Sequence, residues 1–367
     1  MVYDNDTSLL LCLVRSALWQ TPPDLSAIPA PDAAAWQRVF RMANEQTVAA
    51  LACRGLDFLP ESLLPPEDLI LRWVAVADRI ERRNHTVNAV LRELSAAFAA
   101  EGLFPVVLKG QASAQCYCQP LLRQSGDIDL YFPHDGDARR AETWVRRHGA
   151  HIEREADGSM FYTWRGVKVE HHPRLIDLYH PRLQRMLRRA EAQWGFAERS
   201  IAGEGFGVKV PAPALEMLML SSHILKHAMG RGIGLRQLCD VAVACQSIPS
   251  ASYGEAFHRL CRATHTVRWQ RLLHACLTAD LHLSPADLPF AGAAASSAPL
   301  MRIVLSGGNF GQHGAAPAPG ARPWRRKMRT AAAFLRNLGF SLRYAPAEVF
   351  WMLAQLCRGQ RIIGGPR

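Results

Sequence analysis

No stretch of this 367-residue chain approaches the ~18–20 consecutive apolar residues needed to cross a bilayer. Near its start stand Asp4 and Asp6, where a secretory signal would carry Lys or Arg. The expectation is a soluble, cytoplasmic protein with no transmembrane segment. Paired CxxC spacings are also missing. The nine cysteines (Cys12, Cys53, Cys116, Cys118, Cys239, Cys245, Cys261, Cys276, Cys357) are odd in number and scattered, which excludes a zinc-ribbon framework and a disulfide scaffold. They read as buried free thiols. No internal repeat is visible, which excludes a solenoid. Acidic residues are absent from Asp287 to Glu348, while Arg322, Arg325, Arg326, Lys327, Arg329, Arg336 and Arg343 fall inside that gap among Trp324, Phe334 and Phe340. Either an anionic partner at Arg322–Arg343 or a solvated basic helix face accounts for that segment.

What is present is an ordinary globular composition, 49% hydrophobic and 20% charged, in a chain long enough for two or three domains. A net charge of +11 favours anionic partners: nucleotides, nucleic acid or a membrane surface. Residues 1–102 read as a helical amino-terminal domain. Asp32 is placed to cap a helix over Ala33–Cys53, and Pro65-Pro66 opens a long one with Val76, Ile80, Val87, Leu91, Leu94 and Phe98 at helical spacing.

From residue 103 to 200 the pattern is that of a compact α/β unit. Strands are expected at Phe104–Leu108, Asp127–Phe132, Gly158–Trp164 and Val167–His172, with Arg165-Gly166 as a hairpin turn. Helices are expected at Gly110–Tyr117 and Asp137–His148, and Arg182, Arg185, Arg188 and Arg189 mark a further basic helix. Residues 201–282 read as a second helical domain, 283–322 as a disordered linker interrupted by apolar Leu300–Leu305, and 323–367 as basic helices near Trp324–Leu338 and Ala345–Arg358.

The chemistry concentrates in Leu108-Lys109-Gly110, Arg123 and Gly126-Asp127-Ile128-Asp129-Leu130. Residues two apart on a strand share a face, so Asp127 and Asp129 stand side by side while Ile128 and Leu130 point into the core. At a separation of ~7 Å their repulsion is about 0.6 kcal/mol in water and about 2.4 kcal/mol at an effective dielectric near 20. A cation between them relieves it. Asp-x-Asp also occurs at Asp4/Asp6 and Asp135/Asp137, in a polar leader and a turn, where it reads as bland. Nucleotidyl transfer uses divalent ions to activate the attacking hydroxyl and clamp the phosphates, and hard oxygen ligands hold them. In Val167-Lys168-Val169-Glu170 the valines face one way and Lys168 and Glu170 the other, so Glu170 is the candidate third carboxylate. Gly110, where a strand turns into a helix, offers backbone N–H groups to phosphate, with Lys109 and Arg123 adding charge.

His223 and His227 lie four apart, a zinc pair only if a third ligand arrives. His227, Arg236 and Asp240 read as a polar layer facing the nucleotide cleft, and Arg236 with Asp240 equally reads as a plain helix ion pair. Of His171 and His172, His171 is expected to point into the core.

Lys109-Gly110, Arg123, Asp127-Ile128-Asp129, Val169-Glu170-His171-His172 and the tract from His223 through Leu235-Arg236-Gln237-Leu238 to Asp240 resemble the uncharacterised nucleotidyltransferase family of the polymerase-beta-like superfamily. The resemblance implies an α+β fold: a polymerase-beta-like core with a short mixed β-sheet, flanked by amino- and carboxy-terminal helical domains. It also implies Mg²⁺ (or Mn²⁺) and a nucleoside triphosphate. The expected site has Asp127, Asp129 and Glu170 as catalytic and metal-binding residues, with Lys109, Gly110, Gln111, Arg123 and Arg236 holding the nucleotide. The expected reaction passes a nucleoside monophosphate to an unidentified hydroxyl acceptor on a protein, peptide, RNA or small molecule. A metal-dependent glycosyltransferase using a sugar nucleotide and a non-catalytic nucleotide- or RNA-binding module are the alternatives. The former calls for a dinucleotide-binding fold ahead of the acidic pair.

Overall fold

A computed structural model describes residues 3–26, 28–134, 136–155, 157–178, 180–230, 232–307, 336–351 and 354. Four helices lead: α1 (Asn5–Trp19), α2 (Ala33–Glu45), α3 (Ala49–Gly55) and α4 (Glu67–Ala100). The polar leader is the start of α1, whose first turn Asp4 caps by accepting from the Thr7 N–H at 2.7 Å. Asp32 caps α2 in the same way, through Ala35. The single helix expected over Ala33–Cys53 is instead two. Gln46 leaves the helical path to donate to the Val304 carbonyl and accept from the Leu235 N–H, and Thr47 turns the chain at φ 55°. Helix α4 spans 34 residues, about 51 Å at 1.5 Å per residue. Its first half packs Leu69 and Trp73 into the helical core, and its second half packs Val87, Leu91, Leu94 and Phe98 under the sheet.

The sheet comprises β1 (Val106–Val107), β2 (Asp127–Tyr131), β3 (Glu153–Arg154), β4 (Met160–Trp164), β5 (Val167–His172), β6 (Phe196–Ile201) and β7 (Phe206–Pro211). Its spatial order is β3-β4-β5-β2-β1-β7-β6. The β2–β5 and β1–β7 pairs are parallel and the others antiparallel, giving the mixed α+β architecture anticipated. Helices α5 (Gln111–Ala114), α6 (Asp137–Arg147) and α7 (Pro181–Trp194) belong to this part of the chain. The β4–β5 hairpin turns on Arg165 and Gly166, both at positive φ. One face of the sheet, carrying Val107, Ile128, Leu130, Val167, Val169, Val208 and Val210, closes on α4 and on Ala141, Trp144 and Val145 of α6. The sheet does not stop at residue 200. The β6–β7 hairpin adds an edge whose alternation is blurred by Glu198, Arg199 and Lys209, so the pattern hides it.

Helices α8 (Pro213–Met229), α9 (Leu235–Ser247), α10 (Ser250–Ala263) and α11 (Val267–Ala279) follow as anticipated. The expected disordered linker is ordered as far as residue 307, because Leu300, Met301 and Val304 of α12 (Ala298–Gly307) are completely buried. The remainder of that linker, most of the Trp324–Leu338 helix, its basic residues Arg322 to Arg329, and residues 352–353 and 355–358 of the Ala345–Arg358 helix lie outside the described residues. Arg182, Arg185, Arg188 and Arg189 of α7 are exposed, opposite buried Leu183, Leu187 and Ala190. All eight described cysteines are free; five are buried, Cys53 and Cys116 half-buried, and Cys118 exposed rather than buried as expected. Among the described residues no helix is long and apolar enough to cross a membrane.

Phe98 joins the two halves of this packing, edge-on to Phe132, Trp144 and His171. Phe98→Ala is expected to cost about 3–5 kcal/mol, measured as a shift of the urea midpoint, and an unshifted midpoint would deny α4 its place in the sheet's core.

Candidate active site

The face of the sheet turned away from α4 and α6 carries Asp127, Asp129 and Tyr131 from β2 and Lys168, Glu170 and His172 from β5. The parallel register sets Asp129 directly against Glu170 and Asp127 against Lys168. His171 points the other way as expected. It is buried among Phe98, Phe132 and Tyr162, and burial pulls its pKa down to about 3.

Asp129 is the centre of the cluster. Its Oδ1 lies 2.6 Å from His172 Nε2 and 3.1 Å from Lys109 Nζ, and His172 Nε2 stands 3.4 Å from Glu170 Oε1. One ligand atom from each of Asp129, Glu170 and His172 falls within 4.8 Å of the others. Asp127 is outside that group. Burial would raise the Asp129 pKa, but Lys109 and the hydrogen bond and charge of His172 overcome it and hold the carboxyl well below its ordinary range. Asp127 is raised instead, by the Asp129 charge and by burial. Burial also raises Glu170, with Asp129 and Asp127 adding to it against the opposing pull of His172 and Lys109. Lys109 would be lowered by burial, yet the carboxylates of Asp129, Glu170, Asp127 and Asp177 raise it. The site thus concentrates more negative charge than its own cations comfortably balance.

Gly110 has φ 59° and ψ −115°, a backbone state open to glycine, and a Cβ there would stand 3.2 Å from the Asp127 carbonyl oxygen. The helix behind it, α5, is only four residues long. Any phosphate grip at Gly110 therefore rests on single N–H groups rather than on a helix dipole.

Two expected nucleotide ligands are committed elsewhere. The Arg123 guanidinium is buried in a two-pronged pair with Asp240, Nε to Oδ1 and Nη2 to Oδ2 both at 2.7 Å, and Nη1 donates to Ser125 Oγ at 3.0 Å. Tyr117 OH donates to the same Asp240 at 2.7 Å. Gln111 is 3% exposed; its Nε2 donates to Asn88 Oδ1 and its Oε1 accepts from Ser125 Oγ. Both residues fasten the floor beneath the site. The helix ion pair between Arg236 and Asp240 does not form, since Arg123 faces both carboxylate oxygens. Arg236 donates through Nη1 to the Gln124 carbonyl, its buried Nε has no hydrogen-bond partner among the described residues, and its charge bears on Asp127.

Asp177, in the loop after β5, escapes a reading based on strands. Its carboxylate lies 3.2 Å from Lys226 Nζ and 3.5 Å from His223 Nδ1. Burial opposes ionisation there, but Lys226, His223 and His172 drive its pKa well below normal. The signal was an acid enclosed in Leu175-Ile176-Asp177-Leu178, whose three apolar members are buried. The His223 and His227 rings are 4.5 Å apart, and burial lowers His223 to about 4 and holds His227 well below the ordinary histidine range. Among the described residues no third ligand joins the two.

Residues 32–280 match the family described as uncharacterised nucleotidyltransferase. The chain belongs to that family. No curated protein matches it. The crystal structure of an antigenic nucleotidyltransferase-like protein from Paracoccidioides brasiliensis is similar at 16% identity and a TM-score of 0.35, covering 57% of this chain and 94% of that one. The segment matched by the family contains the acidic cluster, the Arg123–Asp240 pair and the helices that hold them.

Arg123→Met strands a buried carboxylate and is expected to destabilise the protein by about 3–5 kcal/mol, read by urea unfolding; a wild-type midpoint would show the pair to be idle. Burial alone would raise Asp240, yet the charge and hydrogen bonds of Arg123 leave its pKa depressed. Its contribution is therefore complete above the unfolded carboxylate value of about 3.9 and is lost as pH falls through the lower folded value. Stability measured between neutral and acid pH is expected to fall less in Asp240→Asn than in the wild type.

Proposed function

We propose that the protein is a divalent-metal-dependent nucleotidyltransferase, transferring a nucleoside monophosphate from a nucleoside triphosphate to a hydroxyl acceptor. The observation that carries this reading is the placement of Asp129 opposite Glu170 across paired parallel strands, with Asp127 beside them and the Lys109 ammonium on the same carboxylate. Three carboxylates on one face form an oxygen-rich donor set that suits a hard divalent cation, and Asp127 is raised first by its repulsion with Asp129, a repulsion that a bound cation would relieve. Asp127, Asp129 and Glu170 would hold the metal, which supplies charge neutralisation at the phosphates and acidification of the attacking hydroxyl.

The chain's own groups divide the remaining work. Glu170, with its carboxyl raised by burial and neighbouring charge, joins the metal ligands or, in their place, accepts the proton of the acceptor hydroxyl. Lys109 and Arg236 are the cations left to meet phosphate, one on the Asp129 side and one toward Asp127. Gly110 lets the backbone pass close beneath Asp127.

The test is incubation with each α-labelled nucleoside triphosphate, a divalent cation and a panel of acceptors. Asp129→Asn, folded by circular dichroism, is expected to lose transfer by more than the ~100-fold that loss of a mere neighbour of a metal ligand costs. Undiminished transfer in both Asp127→Asn and Asp129→Asn would overturn the proposal.

A further inference from the structure

His172 is the one member of the cluster that an all-oxygen cation site does not need. We infer that the site takes a first-row transition cation of the Mn²⁺ class in preference to Mg²⁺, with the His172 imidazole nitrogen as a ligand beside Asp129 and Glu170. The inference rests on the metal-binding part of the proposed function and is independent of nucleotide transfer.

The orientation of His172 follows from its neighbour. His171 fits among Phe98, Phe132 and Tyr162, with the Tyr162 hydroxyl 3.2 Å from its Nε2. A one-residue slip of β5 would drag that ring out of the core and turn Glu170 inward, so the strand register that seats His171 also holds His172 on the acidic face. There Nε2 faces both carboxylates, 2.6 Å from Asp129 Oδ1 and 3.4 Å from Glu170 Oε1. Two ligands at ~2.1 Å from one cation and at right angles to each other stand about 3 Å apart. The two observed gaps bracket that spacing, and all three ligand atoms lie within 4.8 Å of one another. Replacing the His172–Asp129 hydrogen bond with a cation therefore needs only small changes at the two His172 gaps, within the strand register as it stands.

Chemistry sets the preference. Mg²⁺ keeps oxygen ligands and water and gains little from an imidazole, whereas first-row transition ions bind nitrogen readily. An oxygen-only trio would leave the two classes poorly separated. One nitrogen in the set separates them.

The measurement uses the full-length, nucleotide-free protein. Mn²⁺ is titrated by electron paramagnetic resonance, Mg²⁺ is added as competitor, and electron–nuclear methods read nitrogen coupling to bound Mn²⁺. The wild type is expected to hold Mn²⁺ against an excess of Mg²⁺ and to show a directly coupled nitrogen that changes on ¹⁵N-histidine labelling. His172→Gln is expected to lose that coupling and at least ~10-fold in Mn²⁺ affinity, with a smaller loss in Mg²⁺ affinity, so that the preference for Mn²⁺ over Mg²⁺ narrows. The labelled wild type decides the question even if the variant fails to fold. Mn²⁺ bound without nitrogen coupling, or displaced by an equal concentration of Mg²⁺, would overturn the inference. A nitrogen-coupled Mn²⁺ site in a protein that transfers no nucleotide would leave it standing and sink the proposed reaction instead.

Discussion

The parallel pairing of β2 with β5 is the constraint on which the site depends. It pairs residues 41 apart in the chain and brings a carboxylate from each strand to the same height, Asp129 against Glu170. The apolar sides of the same strands, Ile128 and Leu130 with Val167 and Val169, are buried against α4 and α6. Because strand side chains alternate, the hydrophobic face leaves the acidic face no freedom of register. The stability of the core and the geometry of the chemistry are thus one requirement seen from two sides.

Charge is distributed over the site in two layers. At the surface of the sheet, Lys109 and His172 hold Asp129 ionised while Asp127 and Glu170 are left strained toward protonation. Beneath it, ion pairs tie the sheet to the helical part of the chain: Arg123 to Asp240 across 117 residues, and Arg199 to a buried Glu216 at 2.6 and 2.8 Å. Two-pronged guanidinium–carboxylate pairs fix orientation as well as distance. They explain why two arginines so near the acidic cluster differ in their surroundings: Arg123 is paired within the architecture, while Arg236 keeps its charge toward Asp127.

The acidic pair, the Glu170 strand, the hairpin at Arg165-Gly166 and the inward turn of His171 were legible because strand alternation and turn residues are local signals. The partners that Arg123 and Gln111 hold were hidden for a reason equally physical. Their partners, Asp240 and Asn88, lie far away in sequence, and nothing local distinguishes a guanidinium destined for burial from one awaiting a phosphate. Asp177 was missed because it sits in a loop with no periodicity to read, and the β6–β7 hairpin because an edge strand tolerates polar residues on both faces. The order found in residues 298–307 shows an apolar hexamer within a small-residue segment outweighing the composition around it.

Helix α4 serves as a beam shared by both hydrophobic clusters, its first turns sealed by Trp73 and its last by Phe98. A boundary drawn near residue 102 would therefore cut behind a supporting member rather than between independent bodies. A fragment beginning there would expose the valine-rich underside of the sheet to water. The sheet-bearing half of this molecule shares its core with a segment of chain that precedes it, and loosening either end of that beam loosens both rooms it supports.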